Sequence, residues 1–223
     1  MRGDTLLVFA RAPRLGAVKR RLAKGIGAMA ALRFYRGQLA ALLAAVGRDR
    51  RWRTELVVTP ARGAARWPAH LARSAQAKGD LGQRMQRAMA PHRRVVLVGS
   101  DIPGIAASDI AAAFAALGRA QAVFGPAEDG GYWLVGFGPR RPPKPFAAVR
   151  WSSDQALADT LANCHGRPVA LLRTLRDVDT AEDLAWLDGD RAVTPPAALA
   201  RLTATPKRRV KRPQRPGRKP PRP

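Results

Sequence analysis

Arg94-Val-Val-Leu-Val-Gly99 runs straight into Ser100-Asp101-Ile102-Pro103-Gly104. A short unbroken apolar run, rich in valine and closed by glycine and proline, reads as a strand buried on both faces. Strands of that kind belong to parallel sheets sandwiched between helices, and such sheets bind ligands beyond the carboxyl ends of their strands. Asp101 therefore emerges where chemistry is expected. A hard carboxylate there can hold a divalent cation, with substrate phosphates completing its shell. The alternative is an aspartate that caps the turn at Pro103-Gly104.

The flanking sequence repeats the pattern. Thr5 to Ala10 is a short apolar run and reads as a buried strand, and Pro13 to Gly16 reads as a loop. Helical spacing from about Gly27 to Val46 puts Met29, Leu32, Leu39, Leu42, Leu43 and Val46 on one face. Glu55 to Thr59 is a second strand, stopped by Pro60. After a basic, alanine-rich stretch, Leu81, Met85 and Met89 recur every four residues in a short helix. Ser108 or Asp109 can cap the next helix, whose apolar face is Ile110, Ala113, Phe114 and Leu117. Ala122 to Phe124 and Tyr132 to Gly136 read as strands around a glycine-rich loop, Asp154 to Cys164 as a helix and Val169 to Leu172 as a last strand. Thr180 with Asp183 forms a capping box opening a final helix through Leu187. Alternation of this kind predicts one three-layer α/β domain with a mostly parallel, Rossmann-like sheet.

Composition narrows the class. The chain has 223 residues, 46% hydrophobic and 25% charged, which suits a globular domain and excludes a collagen or a disulfide-stapled miniprotein. Cys164 is the single cysteine and pairs with none, so a reducing compartment, the cytoplasm, is expected. No run approaches the roughly 20 apolar residues that span a bilayer. The net charge is +24, from 40 Lys and Arg against 16 Asp and Glu. The segment from Lys207 to Pro223 carries nine of the cations and no acid, but the rest of the chain is basic too. Such a surface attracts anions: nucleotides, phosphorylated metabolites, nucleic acid or anionic lipid. Its bland counterpart is a genome rich in Ala and Arg codons. The predicted division is a catalytic domain over residues 1–193 and a Pro-, Arg- and Lys-rich disordered tail over 194–223. That tail is expected to touch nucleic acid or anionic lipid weakly, or to stay solvated. The oligomeric state is left open.

Three further segments carry candidate chemistry. Arg11 to Arg21 supplies Gly16, where backbone can approach a ligand, beside Lys19, Arg20 and Arg21. This is a plausible phosphate cradle, although it matches neither a Walker loop nor a dinucleotide fingerprint. A solvated basic helix start is the alternative. Asp177 and Asp179 follow the last strand; alternation turns both to one side of an extended segment, so either can be a second metal ligand, or both can serve the helix start. Gly125 to Tyr132 packs Glu128, Asp129, Gly130 and Gly131 into one loop. Glu128 or Asp129 can act as a base or orient an acceptor hydroxyl, or the loop is an ordinary Asp-Gly turn. His70, His92 and His165 have no ligand-like spacing.

Together these segments are recognisable. Phe9 to Leu22 (FARAPRLGAVKRRL), Gly79 to Met85 (GDLGQRM), Gly99 to Gly104 (GSDIPG), Gly125 to Tyr132 (GPAEDGGY), Trp151 to Ser153 (WSS) and Asp177 to Leu184 (DVDTAEDL) occur in one order. They resemble a bacterial family of glycosyltransferases with the A-type nucleotide-diphospho-sugar transferase fold. Members also go under arsenosugar-biosynthesis and radical-SAM/selenodomain-associated transferases. The resemblance spans roughly residues 5 to 188 and extends to phospholactate guanylyltransferases and molybdenum-cofactor nucleotidyltransferases.

The resemblance implies a nucleotide-activated donor, a small-molecule acceptor and a Mg²⁺ or Mn²⁺ ion. It implies nucleotide contacts from Ala10, Arg11, Ala12, Gly16, Lys19, Arg20, Gly79, Asp80, Gly82 and Ser100. Metal ligation falls to Asp101 and Asp179, the latter because it directly precedes the helix start. Acceptor contacts fall to Glu128, Asp129, Gly130, Gly131, Tyr132 and Trp151. Asp101, Asp129 and Lys19 are the catalytic candidates. Two motifs depart from the family: its Lys-Thr-Arg is Lys19-Arg20-Arg21 here, and its Trp-Ser-Thr is Trp151-Ser152-Ser153. The expected activity is sugar transfer from a nucleotide-diphospho-sugar, with nucleotidyl transfer releasing pyrophosphate as the alternative. A non-catalytic basic nucleic-acid-binding protein ranks last, because the tail interleaves no aromatic residues for base stacking.

Overall fold

The computed structural model describes residues 3–60 and 65–190. The expected tail, and the boundary placed at residue 193, lie outside the described residues. In chain order the elements are β1 (Thr5–Arg11), α1 (Arg20–Ile26), α2 (Ala28–Val46), β2 (Arg53–Thr59), β3 (Ala72–Ala75), α3 (Leu81–Met89), β4 (Val95–Gly99), α4 (Ala107–Ala116), β5 (Ala122–Pro126), β6 (Tyr132–Phe137), α5 (Ala156–Ala162), β7 (Val169–Leu171) and α6 (Ala181–Asp190).

The strands form one sheet of seven in the order β3-β2-β1-β4-β6-β5-β7. Only β6 runs antiparallel to its neighbours; every other pairing is parallel. The expected three-layer α/β domain is what forms. Alternation along β1 separates its two faces. Leu6 and Val8 pack with Leu32, Tyr35, Leu39, Ile110 and Phe114 from α2 and α4. Leu7 and Phe9 pack with Met85 and Met89 of α3, together with Phe124, Phe137 and Phe146. Burial on both sides is why the β1 and β4 runs are continuously apolar.

The chain leaves β1 to build β2 and β3 on one side, then crosses back to lay β4 on the other. In register Arg11 is level with Thr59, and Phe9 with Gly99. The carboxyl ends of β1, β2 and β4 thus share one rim, and the order reverses between β1 and β4, which opens the crevice where such sheets take ligands.

Several expectations shift in detail. Met29 is 50% exposed rather than on the apolar face, because it lies in the first turn of α2, ahead of the residues that face the sheet. Ser108 and Asp109 do not occupy the cap position of α4, which is Ala106; Asp109 stands three residues later, and its carboxylate accepts the Ala106 amide at 2.8 Å. The helix expected over 154–164 is shorter, Ala156–Ala162. β3 lies in the stretch read as having no strand. By contrast, the Thr180–Asp183 box forms: Thr180 N donates to Asp183 Oδ2 at 2.9 Å and Asp183 N to Thr180 Oγ1 at 3.2 Å.

Candidate functional site

Two neighbouring cavities open on the carboxyl rim. The larger, about 550 Å³, has walls from the ends of β1 and β4, from α3 and from the β5–β6 region. The smaller, about 330 Å³, lies over the loop that joins β1 to α1. Arg11 and Asp101 line both.

The loop residue Lys19 joins the pieces. Its side chain is only 2% exposed, unusual for a lysine. Its Nζ donates to Asp179 Oδ1 at 2.9 Å and to the Asp101 carbonyl at 3.0 Å, and stands 3.8 Å from Asp101 Oδ1. Carboxylates separated by 78 positions thus meet on one ammonium. The lysine holds φ 45°, a left-handed conformation that a non-glycine residue keeps only when its surroundings require it. Arg20 and Arg21 follow it along the smaller cavity.

Tyr35 of α2 sets the floor. Its hydroxyl donates to the Arg11 carbonyl and accepts the Arg11 amide, both at 2.9 Å. Since its one proton is so used, the Ser100 hydroxyl donates to the phenol oxygen at 3.0 Å. Burial pushes the phenol up to about 12, so it stays protonated and keeps this bridge. One buried side chain therefore ties the end of β1 to the residue before Asp101.

The far side is built by continuation of the sheet. Beyond β5 and β7, Leu175 N donates to the Pro126 carbonyl at 3.0 Å and Glu128 N to the Leu175 carbonyl at 3.1 Å. This pairing lays Asp177 beside the loop that carries Asp129. Val178 between the two aspartates is fully buried, as alternation requires. Asp177 lines the larger cavity and Asp179 the smaller. The Asp177 carboxyl is pushed up to about 7, first by burial and then by the negative charge of Asp129; Lys19 opposes this, while Asp179 and Asp101 add to it. Its Oδ1 is buried without a hydrogen-bond partner.

The remaining expected residues divide. Ala10, Asp80, Ser100, Asp129, Gly131, Tyr132 and Trp151 line the larger cavity. Asp80 also caps α3, accepting the Gln83 amide at 2.8 Å. Ala12 is buried, its amide bonded to the Thr59 carbonyl, and Gly16 forms an exposed turn at φ 71° that lines neither cavity. Gly79 turns the chain into α3 at φ 115°. Gly82 serves packing: a Cβ there would come within 2.8 Å of both Phe146 and Trp151, so the glycine lets those rings close over α3. Glu128 is exposed, 3.8 Å from Arg176. Gly130 takes φ 82° where the loop passes against Asp154.

Tyr35, Gln76 and Arg84 were not singled out from the sequence. Gln76 donates to the Val57 carbonyl at 3.1 Å, and Arg84 Nη1 donates to Gln76 Oε1 at 3.2 Å, a clasp across the ends of β2 and α3 inside the cavity wall. A tyrosine among the apolar residues of a helix face was the available signal for Tyr35, since a buried hydroxyl demands a partner.

The donors suit a hard divalent cation. Asp101 and Asp179 already share one cationic nitrogen, and every candidate ligand is a carboxylate. Among the described residues no group of three or more His, Cys, Asp or Glu side chains is placed to hold a metal ion, so these residues offer at most a pair. Water and substrate phosphate would complete the shell, the habit of Mg²⁺ and Mn²⁺ at nucleotide sites. Among the described residues no helix is long and apolar enough to cross a membrane.

Known structures share this architecture. A protein from Desulfovibrio desulfuricans G20, provisionally named a nucleotide-diphospho-sugar transferase, superposes with a TM-score of 0.81 at 30% identity, over 90% of this chain and 94% of that one. The 4-diphosphocytidyl-2C-methyl-D-erythritol synthase of Anaerococcus prevotii DSM 20548 gives a TM-score of 0.54 at 9% identity, over 86% of this chain and 96% of that one. Rv0371c of Mycobacterium tuberculosis H37Rv, in a structure with manganese, gives 0.50 at 19% identity, over 83% and 97%. The last two share the fold alone; the first supports a transferase enzyme of the nucleotide-diphospho-sugar transferase fold. No curated protein matches the sequence. A family model described as an uncharacterized protein conserved in bacteria, DUF2064, matches residues 42–153, half of the chain. By that match the chain belongs to the DUF2064 family.

Proposed function

We propose that the chain is a metal-dependent glycosyltransferase that moves a sugar from a nucleotide-diphospho-sugar to a small acceptor. The observation that carries this reading is the meeting of Asp101 and Asp179 on Lys19 at the carboxyl rim, where the two cavities adjoin. Asp101 and Asp179 would hold the metal, and a Mg²⁺ or Mn²⁺ bound there would supply positive charge to offset the donor's diphosphate and the departing nucleoside diphosphate. Lys19, Arg20 and Arg11 face the same phosphates. The backbone of Ala10, with Asp80 and Ser100, lines the nucleotide's place; Ala12 and Gly79 shape it from behind, Gly16 turns the loop that leads to Lys19, and Gly82 makes room for Trp151.

The acceptor lies against Gly131, Tyr132 and Trp151, with Glu128 and Gly130 shaping the loop. Its hydroxyl oxygen attacks C1 of the sugar. The bond between C1 and the diphosphate oxygen breaks, and its electron pair leaves on the nucleoside diphosphate. The hydroxyl proton passes to the Asp129 carboxylate. The name carried by the Desulfovibrio protein agrees with sugar transfer, and nucleotidyl transfer is the alternative that the same fold permits.

Incubation with a panel of labelled sugar nucleotides and of nucleoside triphosphates, each with Mg²⁺ or Mn²⁺, tests the proposal. Metal-dependent release of a nucleoside diphosphate from a sugar nucleotide is expected. Release of pyrophosphate from a triphosphate instead would make the chain a nucleotidyltransferase.

A further inference from the structure

The larger cavity is divided by charge. On its β1 and α3 side stand Arg11 and Arg84 with one acid, Asp80, whose carboxylate is taken up in capping α3, and the smaller cavity adds Lys19, Arg20 and Arg21. On its other side, from Ala127 onward, the lining residues include two carboxylates, Asp129 and Asp177, and no Lys, Arg or His. The cations closest in sequence to that wall are already engaged. Arg150 Nη2 is 2.8 Å from Asp159, Arg173 Nε is 2.7 Å from Asp109, and Arg176 Nη2 is 3.0 Å from Asp183. In a chain of net charge +24, a wall without a cation is the exception.

Two more observations mark this wall as facing a ligand. Asp177 Oδ1 is buried and accepts no hydrogen bond, so it waits for a donor. Trp151 and Tyr132 line the same wall with ring centroids 6.4 Å apart, offering an aromatic surface beside the carboxylates. The ring of Trp151 is seated by Gly82, which leaves it room over α3.

We infer that the acceptor is uncharged or cationic: a hydroxyl or amine compound whose flat or sugar-ring face rests on Trp151 and Tyr132 while its N–H or O–H groups donate to Asp129 and Asp177. Phosphorylated and carboxylated acceptors are selected against, since no cation on this wall meets their charge and two carboxylates repel it. The inference rests on the transferase reading for the word acceptor, and on the geometry for the charge.

The field can be measured without knowing either substrate. Trp151 emission, isolated as the difference between the full chain and its Trp151→Phe variant, is quenched with caesium and with iodide. Each constant is normalised to quenching of N-acetyltryptophanamide. Caesium should quench the Trp151 component at least about threefold better than iodide, against the sign of the whole protein's charge. Asp129→Asn should narrow that ratio. Equal quenching, or better quenching by iodide, overturns the inference. A caesium preference in a protein that releases no nucleoside diphosphate from any sugar nucleotide leaves the charge division standing and removes the sugar-transfer reading instead.

Discussion

The two walls of the larger cavity are built from similar parts and reach opposite charge. Both are strand ends followed by a loop and a helix. The β1 wall draws on a stretch from Thr5 to Arg48 that contains no acid at all, so whatever points at the cavity there is neutral or basic. The β5–β7 wall places Asp129 and Asp177 inward, while Arg150, Arg173 and Arg176 pair with Asp159, Asp109 and Asp183 outside the cavity lining. A diphosphate and an acceptor make opposite demands, and separating the charges lets one crevice orient both. Asp101 sits at the seam and lines both cavities.

The seam is the place to break this division. Asp101→Asn should lower turnover by on the order of a hundredfold or more, the scale of removing one element of charge stabilisation at a reacting centre. Its side chain is 55% exposed, so the fold should be nearly unaffected, within about 0.5 kcal/mol. Calorimetry with a sugar nucleotide and Mn²⁺ checks this; unchanged metal-dependent binding removes Asp101 from the metal site.

Next is the basic wall. Lys19→Met should weaken donor binding by roughly ten- to a hundredfold, the range of charge-assisted contacts to phosphate. It should also tighten the binding of Mn²⁺ alone, because Asp101 and Asp179 lose the ammonium that now neutralises them. Titration of Mn²⁺ by electron paramagnetic resonance reads the second effect; weaker binding of free Mn²⁺ would mean that the lysine assembles the carboxylates instead of competing for them.

The link between wall and floor comes third. Tyr35→Phe leaves the Arg11 amide and carbonyl and the Ser100 hydroxyl without their shared partner. The cost should be about 1–3 kcal/mol. At about 2–4 °C per kcal/mol for a chain of this size, a thermal melt resolves it. Donor affinity should fall with stability; a melting point that does not move would show that water replaces the hydroxyl.

The smallest effect concerns the acidic wall. Asp159 accepts from the Arg150 amide, Nε and Nη2, and so pins the segment that presents Trp151. The Arg150 guanidinium and amide hold its carboxyl at about 2, below the ordinary 3.8. A carboxyl lowered on folding adds stability that is complete above its unfolded value and is lost as pH falls toward about 2. The pairing should therefore weaken between about pH 4 and pH 2. Asp159→Asn should raise the acceptor KM a few-fold with donor affinity unchanged, a split that kinetics at neutral pH can read; an equal loss on the donor side would deny that the two walls act separately.

Legibility followed burial. β1, β2 and β4 were visible because strands covered on both faces must be apolar throughout, and the acids and cations at their ends stood out against those runs. β3 was invisible for the opposite reason: Ala72–Ala75 is an edge strand, exposed along most of its length, with no apolar alternation to betray it. Met29 looked like core because a period locates a helix face but not where along the helix the sheet begins. Gly82 and Ala12 sit within site motifs yet serve packing and backbone pairing, a distinction that needs neighbours in space. The Gln76–Arg84 clasp likewise joins residues whose roles depend on the strand beneath them.

Local physics written along the chain determined the layers, the strand ends and the sign of charge near the first loop, because burial and turn chemistry act on consecutive residues. Only the tertiary structure decided that Asp179 turns to Lys19 while Asp177 enters the larger cavity, and that the arginines near the far wall pair with carboxylates away from it. Those outcomes depend on which strands become neighbours and on the direction in which each side chain leaves the rim. Charge has no address in a sequence until a fold assigns it a partner.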